Sequence, residues 1–314
     1  MAMGVSTTAV TPARPPLLVL GPFLVDRVRR EAGGPPVDVP GGNGLVVASV
    51  AARLGWPTAL VGQLADDALG GVLRESLLGS GVDLILQKPE PGLETKRAEI
   101  LVDGDGAWRT VATHPARYPY LRPPGPDALV GRGAVLATGL CSLWRSGPAW
   151  LRAWLLAVRG DGVPLGLGLN RLLPEEGPLV DAVVGWDDRL FCNREELMAW
   201  RGLRDPGIEA LCGAVGAAPG GELVVSLGAE GVLVRPRGLT PVHLPAEPVA
   251  VRSSLGAGDV LCAVTTVLRL AGVPLVQAVT LAQRAAARSV RDASWDAWLH
   301  EEPGLVAEIR SAWS

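Results

Sequence analysis

Lysine is almost missing from this chain: only Lys88 and Lys96 occur in 314 residues. Neither follows a glycine or precedes serine or threonine, which excludes the P-loop pattern and the strand lysine of a protein kinase. Basic residues of both kinds number 29 against 32 acidic ones and are spread along the chain, for a net charge of −3. Without a basic stripe to follow a phosphate backbone, nucleic acid is not expected as a partner. No apolar run approaches the roughly 20 residues needed to cross a bilayer, so no membrane partner is expected either. The run Leu17 to Val25 comes after Arg14 but holds Gly21-Pro22 and ends in Asp26-Arg27 without a small-residue cleavage site, which reads as a first strand and not a signal peptide. The turn after that strand, Gly21-Pro22-Phe23, is no dinucleotide fingerprint. The four cysteines, Cys141, Cys192, Cys212 and Cys262, are far apart and form no Cys-x-x-Cys pair. Reduced thiols and a cytoplasmic location are expected.

Glycine is abundant, and its placement is informative. Ser253-Ser254-Leu255-Gly256-Ala257-Gly258-Asp259 runs into the apolar segment Val260 to Val264. Small residues let the backbone approach a ligand closely, and the helix behind them presents unpaired N–H groups and its positive dipole end. Such a site takes an anion. Asp259, in the first turn, is placed to accept a proton beside a bound phosphoryl group. The same residues also describe an ordinary loop entering a buried helix, with Asp at its N-terminus.

At 48% hydrophobic residues the chain can bury a large core. Residues 1–16 read as a loose tail and 17–314 as the folded unit. Leu17 to Val25 reads as a buried strand, Ala48 to Leu54 as a helix closed by Gly55, Thr58 to Gly62 as a strand, and Asp67 to Gly79 as a helix. From about 82 to 111 short alternating strands with a hairpin signal at Asp103 to Gly106 predict an inserted accessory sheet. Further strands are read at Ala134 to Ala137, Pro164 to Leu169, Ala182 to Val184 and Leu223 to Ser226, with helices over Glu195 to Trp200 and Leu275 to Val290 and a hairpin over Gly231 to Pro236. This alternation predicts an α/β fold: a doubly wound, mostly parallel sheet with helices on both faces and a small accessory sheet. Ligands then gather at the carboxyl ends of the strands.

A second glycine motif, Pro40-Gly41-Gly42-Asn43, precedes a helix ending Ala51-Ala52-Arg53-Leu54-Gly55, and Leu60-Val61-Gly62-Gln63-Leu64-Ala65-Asp66-Asp67-Ala68-Leu69-Gly70 comes next. This stretch resembles the N-terminal signature of the ribokinase-like, or PfkB, family of carbohydrate and nucleoside kinases. The segment Ser253 to Asp259 resembles its C-terminal signature, usually Asp-Thr-x-Gly-Ala-Gly-Asp. Asn193-Arg194-Glu195-Glu196 is similar to the family's Asn-x-x-Glu element, and Ser226 to Gly231 to its nucleotide loop. The resemblance covers roughly residues 17 to 291.

It implies an ATP-dependent kinase acting on a hydroxyl of a sugar, a sugar derivative or a nucleoside, with Mg2+. Asp259 is implied as the base and Gly256, Ala257 and Gly258 as the anion hole. Asp26, Gly41, Gly42 and Asn43 are implied to hold the acceptor. Asn193, Ser226, Gly228 and Gly231 would face the nucleotide, with adenine near Gln283, and Glu196 would reach magnesium through water. The family fold carries a small β-sheet lid on its central sheet, which the accessory strands over about 82–111 are implied to form; pairing of copies through that lid occurs in the family, so a homodimer is the corresponding expectation. Asn193 with Glu196 also matches a capping box, Asp26 a solvated strand end, and Gly41-Gly42, Gly228 and Gly231 plain turns. Three positions depart from the family pattern. Ser253 replaces an Asp tied to a monovalent cation, so potassium is not expected. Val46 replaces an Asn and Gly168 an Asp, which predicts a less polar acceptor pocket walled by Leu45, Val46 and Trp108 or Trp144. A fold retained only for binding is the rival from another class.

Overall fold

The computed structural model describes residues 14–31, 33–86, 92–114, 133–146, 148–185, 188–204, 206–292 and 294–313. The first half contains β1 (Leu17–Leu20), β2 (Leu24–Arg30), β3 (Val37–Gly41), α1 (Asn43–Arg53), β4 (Thr58–Gly62), α2 (Ala68–Gly79), β5 (Asp83–Leu86), β6 (Arg97–Val102) and β7 (Trp108–His114). Next come β8 (Ala134–Thr138), α3 (Leu140–Ser146), α4 (Pro148–Gly160), β9 (Leu165–Gly168), α5 (Gly177–Val183), β10 (Arg189–Asn193), α6 (Arg194–Arg201) and α7 (Ile208–Ala217). The chain closes with β11 (Glu222–Ser226), β12 (Val232–Arg235), β13 (Val242–Leu244), α8 (Ala257–Leu270), α9 (Leu275–Ser289), α10 (Trp298–Glu301) and α11 (Pro303–Ser311).

A nine-stranded sheet has the order β13-β12-β11-β10-β9-β8-β1-β4-β5. From β11 across to β5 all neighbours are parallel, and β12 and β13 add antiparallel at one edge. Alternation sorts the side chains: Leu17 and Val19 pack with α1, α8 and α9, while Leu18 and Leu20 pack with α3 to α7 on the other face. The expected doubly wound sheet is the one that forms. Among the described residues no helix is long and apolar enough to cross a membrane.

The lid is a separate sheet of order β3-β2-β6-β7, and three expectations need correcting. The run Leu17 to Val25 is two strands, because Gly21-Pro22-Phe23 breaks it and β2 leaves for the lid. The lid is not one insertion over 82–111. Its β2 and β3 come from before α1, and β5 joins the main sheet parallel to β4, as a crossover through α2 requires. Residues 182–184 are not a strand either: Leu179, Val180 and Val183 recur at helical spacing behind Pro178, so α5 takes Ala182 and Val183. Of the expected loose tail, 14–16 are tied down, with Trp56 Nε1 donating to the Pro15 carbonyl at 3.0 Å and Gly133 N–H to that of Pro16 at 2.9 Å.

The lid lies against the body. The hydroxyl and N–H of Ser254 both donate to the Gly106 carbonyl in the β6–β7 turn, at 3.0 and 2.9 Å, and Leu255 packs on Ala98, Ile100 and Val102 of the inner lid face. Asp67, the N-cap of α2, pins the approach to β6 by accepting from Thr95 N–H at 2.8 Å and its hydroxyl at 2.7 Å. Burial alone would raise the Asp67 carboxyl, but the bonds from Thr95, Gly70 and Leu69 outweigh it and hold the carboxyl below its usual range.

Candidate active site

Parallel strands end together, and their ends form a cavity. Pro22 after β1, Thr138 of β8, Gly168 of β9, Asn193 of β10 and Ser226 of β11 all line a space of about 590 Å³ roofed by Ala98, Ile100 and Trp108 of the lid. This is the edge at which an open α/β sheet binds ligands.

Asp259 lines the floor of this cavity in the first turn of α8. Gly256 precedes the helix at φ 83°, a left-handed conformation open to glycine, and a Cβ there would lie 2.9 Å from Trp295 Cβ. No side chain caps α8, so its first N–H groups and dipole end are turned toward a ligand. Gly256 and Gly258 line the cavity; Ala257 does not, and its N–H donates to the Ser254 carbonyl at 3.3 Å.

A second helix start meets the first. Asn43 opens α1 after Gly42, and its Nδ2 donates to Asp259 Oδ1 at 2.6 Å while Asn170 Nδ2 donates to Asn43 Oδ1. The chain Asn170 to Asn43 to Asp259 fixes the orientation of the carboxylate. Asp26 of β2 is 9% exposed and accepts from the Gly42 N–H. Its carboxylate lies over Gly41, where a Cβ would fall 1.9 Å from Asp26 Oδ2. Asp26, Gly42 and Asn43 line the cavity, while Gly41 serves by leaving room for Asp26.

Both acids are hard to ionise. Burial raises Asp259 to about 6 against the bond from Asn43. Burial, together with the charge of Asp259, raises Asp26 to about 7 despite the Gly42 N–H. In Asn43→Ala the bond favouring ionised Asp259 is gone, so the acidic limb of any pH–rate profile is expected to move to higher pH. An unchanged limb in Asn43→Ala would mean that Asp259 does not set it.

Asn193 and Glu196 form the capping box of α6: Asn193 Oδ1 accepts from Glu196 N–H at 2.8 Å and Glu196 Oε2 from Asn193 N–H at 3.0 Å. Glu196 Oε1 accepts from Arg171 N–H at 2.8 Å, where Arg171 holds φ 56°. Burial raises the Glu196 carboxyl, with the two N–H groups opposing and the charges of Glu195 and Asp259 adding to the rise. Among the described residues no group of three His, Cys, Asp or Glu could hold a metal ion directly. Each Glu196 oxygen nevertheless keeps a second lone pair on the cavity wall. That donor set fits an ion held by phosphates and water, as magnesium commonly is.

Ser226 lines the cavity, but Gly228 and Gly231 do not. They shape the β11–β12 turn: Gly231 sits at φ 101° with Leu244 O only 2.0 Å from where a Cβ would fall, whereas Gly228 faces open space. Gln283 is also outside the cavity, its Nε2 donating to the Pro245 carbonyl at 2.7 Å and its Oε1 buried without a partner. Leu45 and Val46 are not pocket wall, because the helix turns them into the core, where they are 0% and 3% exposed. Trp108 does line the cavity; the Trp144 side chain lies outside the described residues. Gly168 lines it as well, and a Cβ there would fall 3.0 Å from Thr138 Oγ1, so glycine keeps a close approach to β8 where the family carries an Asp. Ser253 is buried and its hydroxyl accepts from Leu255 N–H at 3.4 Å.

The sequence reading missed Asn170, Arg171, Lys96 and Phe191, all on the cavity wall. Asn170 carried a signal, being the first polar side chain after the apolar strand β9. Lys96 and Arg171 carried none, since only the packing of lid on body brings them near each other, where burial and the Arg171 charge lower the Lys96 ammonium.

Comparison with known proteins agrees with this fold. The family described as pfkB family carbohydrate kinase matches residues 19–297. A ribokinase from Arabidopsis thaliana is 27% identical over 310 residues, which span 90% of this chain and 78% of that protein. Among solved structures, adenosine kinase from Sinorhizobium meliloti superposes with a TM-score of 0.76 at 22% identity, covering 92% of this chain and 100% of the other. The Arabidopsis thaliana ribokinase complexed with ribose and ATP does so with 0.73 at 24% identity, covering 94% and 98%. With the family matched across both glycine motifs and over most of the chain, this chain belongs to the pfkB family of carbohydrate kinases, phosphotransferases whose acceptor is an alcohol group.

Proposed function

We propose that this chain transfers the γ-phosphoryl group of ATP to a hydroxyl of a small sugar or sugar derivative. One observation carries the reading: a carboxylate, Asp259, sits in the first turn of an uncapped helix at the floor of the strand-end cavity, oriented by Asn43. Phosphoryl transfer needs an aligned nucleophile and stabilised charge on the equatorial oxygens more than covalent help. Asp259 takes the acceptor's proton. The N–H groups opening α8, framed by Gly256 and Gly258, stabilise the transferring group. Asp26, Gly42 and Asn43 hold the acceptor's other hydroxyls, and the lid excludes water above them.

Ser226 and Asn193, both on the cavity wall, are assigned to the nucleotide. Gly228 and Gly231 act there through the shape of the β11–β12 turn. Magnesium, when bound, neutralises phosphate charge, and Glu196 meets it through water. A neutral Ser253 in the loop before α8 gives a potassium ion no carboxylate, so turnover is expected without one.

A nucleoside acceptor is the second reading, favoured by Trp108 and Phe191 on the cavity wall, where an aromatic face can stack on a base. Its structural counterpart is the likeness to an adenosine kinase. An ADP-release screen with Mg-ATP over sugars, sugar phosphates, sugar acids and nucleosides separates the two. A sugar with the highest kcat/KM supports the first reading, and a nucleoside supports the second. ATP binding without turnover on any acceptor would overturn both and leave a fold kept for binding.

A further inference from the structure

Lid and phosphate site share one segment of chain. Residues 252–255 lead into Gly256 and the first turn of α8, and the body and the lid each hold one side of that segment. On the body side the N–H groups of Arg252 and Ser253 donate to the Val290 carbonyl after α9, at 2.8 and 3.2 Å. On the lid side Arg30 Nη1, at the end of β2, donates to the Arg252 carbonyl at 3.2 Å. The hydroxyl and N–H of Ser254 converge on the Gly106 carbonyl, so both lone pairs of that oxygen are used. The Leu255 side chain lies on the apolar inner face of the lid. Ser254 then passes its position on: its carbonyl accepts from Ala257 N–H, closing the turn in which Gly256 takes φ 83°.

The lid turn is shaped for this contact. Gly106 holds φ 78°, and a Cβ there would fall 2.8 Å from Val251 Cγ1 and 3.1 Å from the Arg252 carbonyl carbon. Gly104, two residues earlier in the same turn, meets nothing within 4 Å. Asp103 fixes the turn from within, its Oδ1 accepting from the N–H groups of Asp105 and Ala107 at 3.0 and 2.9 Å. Of these two glycines, only the one whose carbonyl takes the Ser254 bonds makes a close approach.

We propose that Ser254 is a positioning residue that makes the phosphate site at the start of α8 depend on a closed lid, an effect on rate that rests on the kinase reading above. With the lid lifted, both donors of Ser254 lose their partner and Leu255 loses its apolar cover. The N–H groups that open α8 then lose the geometry that meets the transferring group. Coupling of this kind is reciprocal, so a phosphoryl group seated at the start of α8 favours the closed lid in return. ATP is activated only beneath a closed lid, which spares it from water while no acceptor is bound.

Hydrogen exchange and turnover of the whole chain test this in wild type, Ser254→Ala, Ser254→Thr, Gly106→Ala and, as the control, Gly104→Ala. Melting curves check that each variant folds, and the two positions Ser254 and Gly106 probe the same bonds from opposite sides. Exchange of amides 254–259 should quicken severalfold in Ser254→Ala and by more in Gly106→Ala. It should stay at the wild-type rate in Gly104→Ala and in Ser254→Thr, which keeps the hydroxyl. With the acceptor that the screen selects, kcat should fall about tenfold in Ser254→Ala and Gly106→Ala with KM little changed, as loss of one hydrogen bond used only in the transition state predicts. Ser254→Thr should restore it. A wild type that turns over no acceptor defeats the kinase reading alone, because the exchange pattern decides the coupling without turnover. Unchanged exchange at 254–259 in Gly106→Ala, or full kcat in spite of faster exchange, would overturn the proposal.

Discussion

Asp259→Asn is expected to lower kcat by roughly two to four powers of ten, the usual scale for a positioned general base. The change is isosteric, and the new amide oxygen can still accept from Asn43, so the loss reports on proton removal and not on geometry. The wild type carries a matching signature in pH. Asp259 ionises at about 6 and Asp26 at about 7, so kcat/KM should fall as pH drops through that range, while the residual rate of the variant should lose the part of this limb that belongs to Asp259. A full rate in the variant would exclude Asp259 as the base.

Stability should move the opposite way. An acid whose folded pKa lies above its unfolded value binds more protons when folded, so the fold is favoured at low pH and loses that advantage as pH rises through the folded value. For Asp259 this window runs from the ordinary 3.8 up to about 6, and for Asp26 up to about 7. At pH 8 both carboxylates weaken the wild-type fold, and Asp259→Asn removes one of them. Its Tm at pH 8 should therefore equal or exceed that of the wild type, with the gap closing below pH 4. Sites that hold buried charge for chemistry commonly show this exchange of stability for function.

The parts of this site that were legible in the sequence are those whose chemistry is local. Gly256 to Asp259 and Gly41 to Asn43 each encode a tight turn into a helix within a few residues, and the structure brings the two helix starts to one hydrogen bond. The central sheet was legible because its strands are buried on both faces and read as short apolar runs separated by helices. The lid was legible only as alternation near Ile100; that β2 and β3 join it depends on pairing across more than 50 residues, between Asp26 and Ala98, for instance. The capping box of Asn193 and Glu196 was visible as a pattern, but a pattern that serves a helix end equally well cannot also declare a metal. Positions defined by long-range packing were not legible at all. Lys96 and Arg171 approach each other only once the lid lies on the body, and Val46 turns into the core because of where α1 starts.

A single methyl group at the start of α1 should damage both the fold and the site. Gly42 holds φ 90°, and a Cβ there would lie 2.7 Å from the Pro22 carbonyl oxygen and 2.9 Å from Phe23 Cα. Both are backbone atoms of the β1–β2 loop, so no side chain can swing aside. Gly44 closes the same contact, its N–H donating to the Pro22 carbonyl at 2.8 Å. Strain from the left-handed conformation and from overpacking together should make Gly42→Ala less stable by about 2–5 kcal/mol, a Tm lower by roughly 3–8 °C. Activity should fall further than stability explains. The Gly42 N–H bonds Asp26, and Asn43 orients Asp259, so a shift of about 1 Å at this helix start displaces both acids and should reduce kcat/KM on the order of a hundredfold. Gly71→Ala in α2 is the control: nothing lies within 4 Å of its Cβ position, and alanine in a helix should be neutral or stabilising by up to about 1 kcal/mol. Wild-type melting and turnover in Gly42→Ala would show that the close approach of this loop to α1 is dispensable, and that the acids of the site are held by other means.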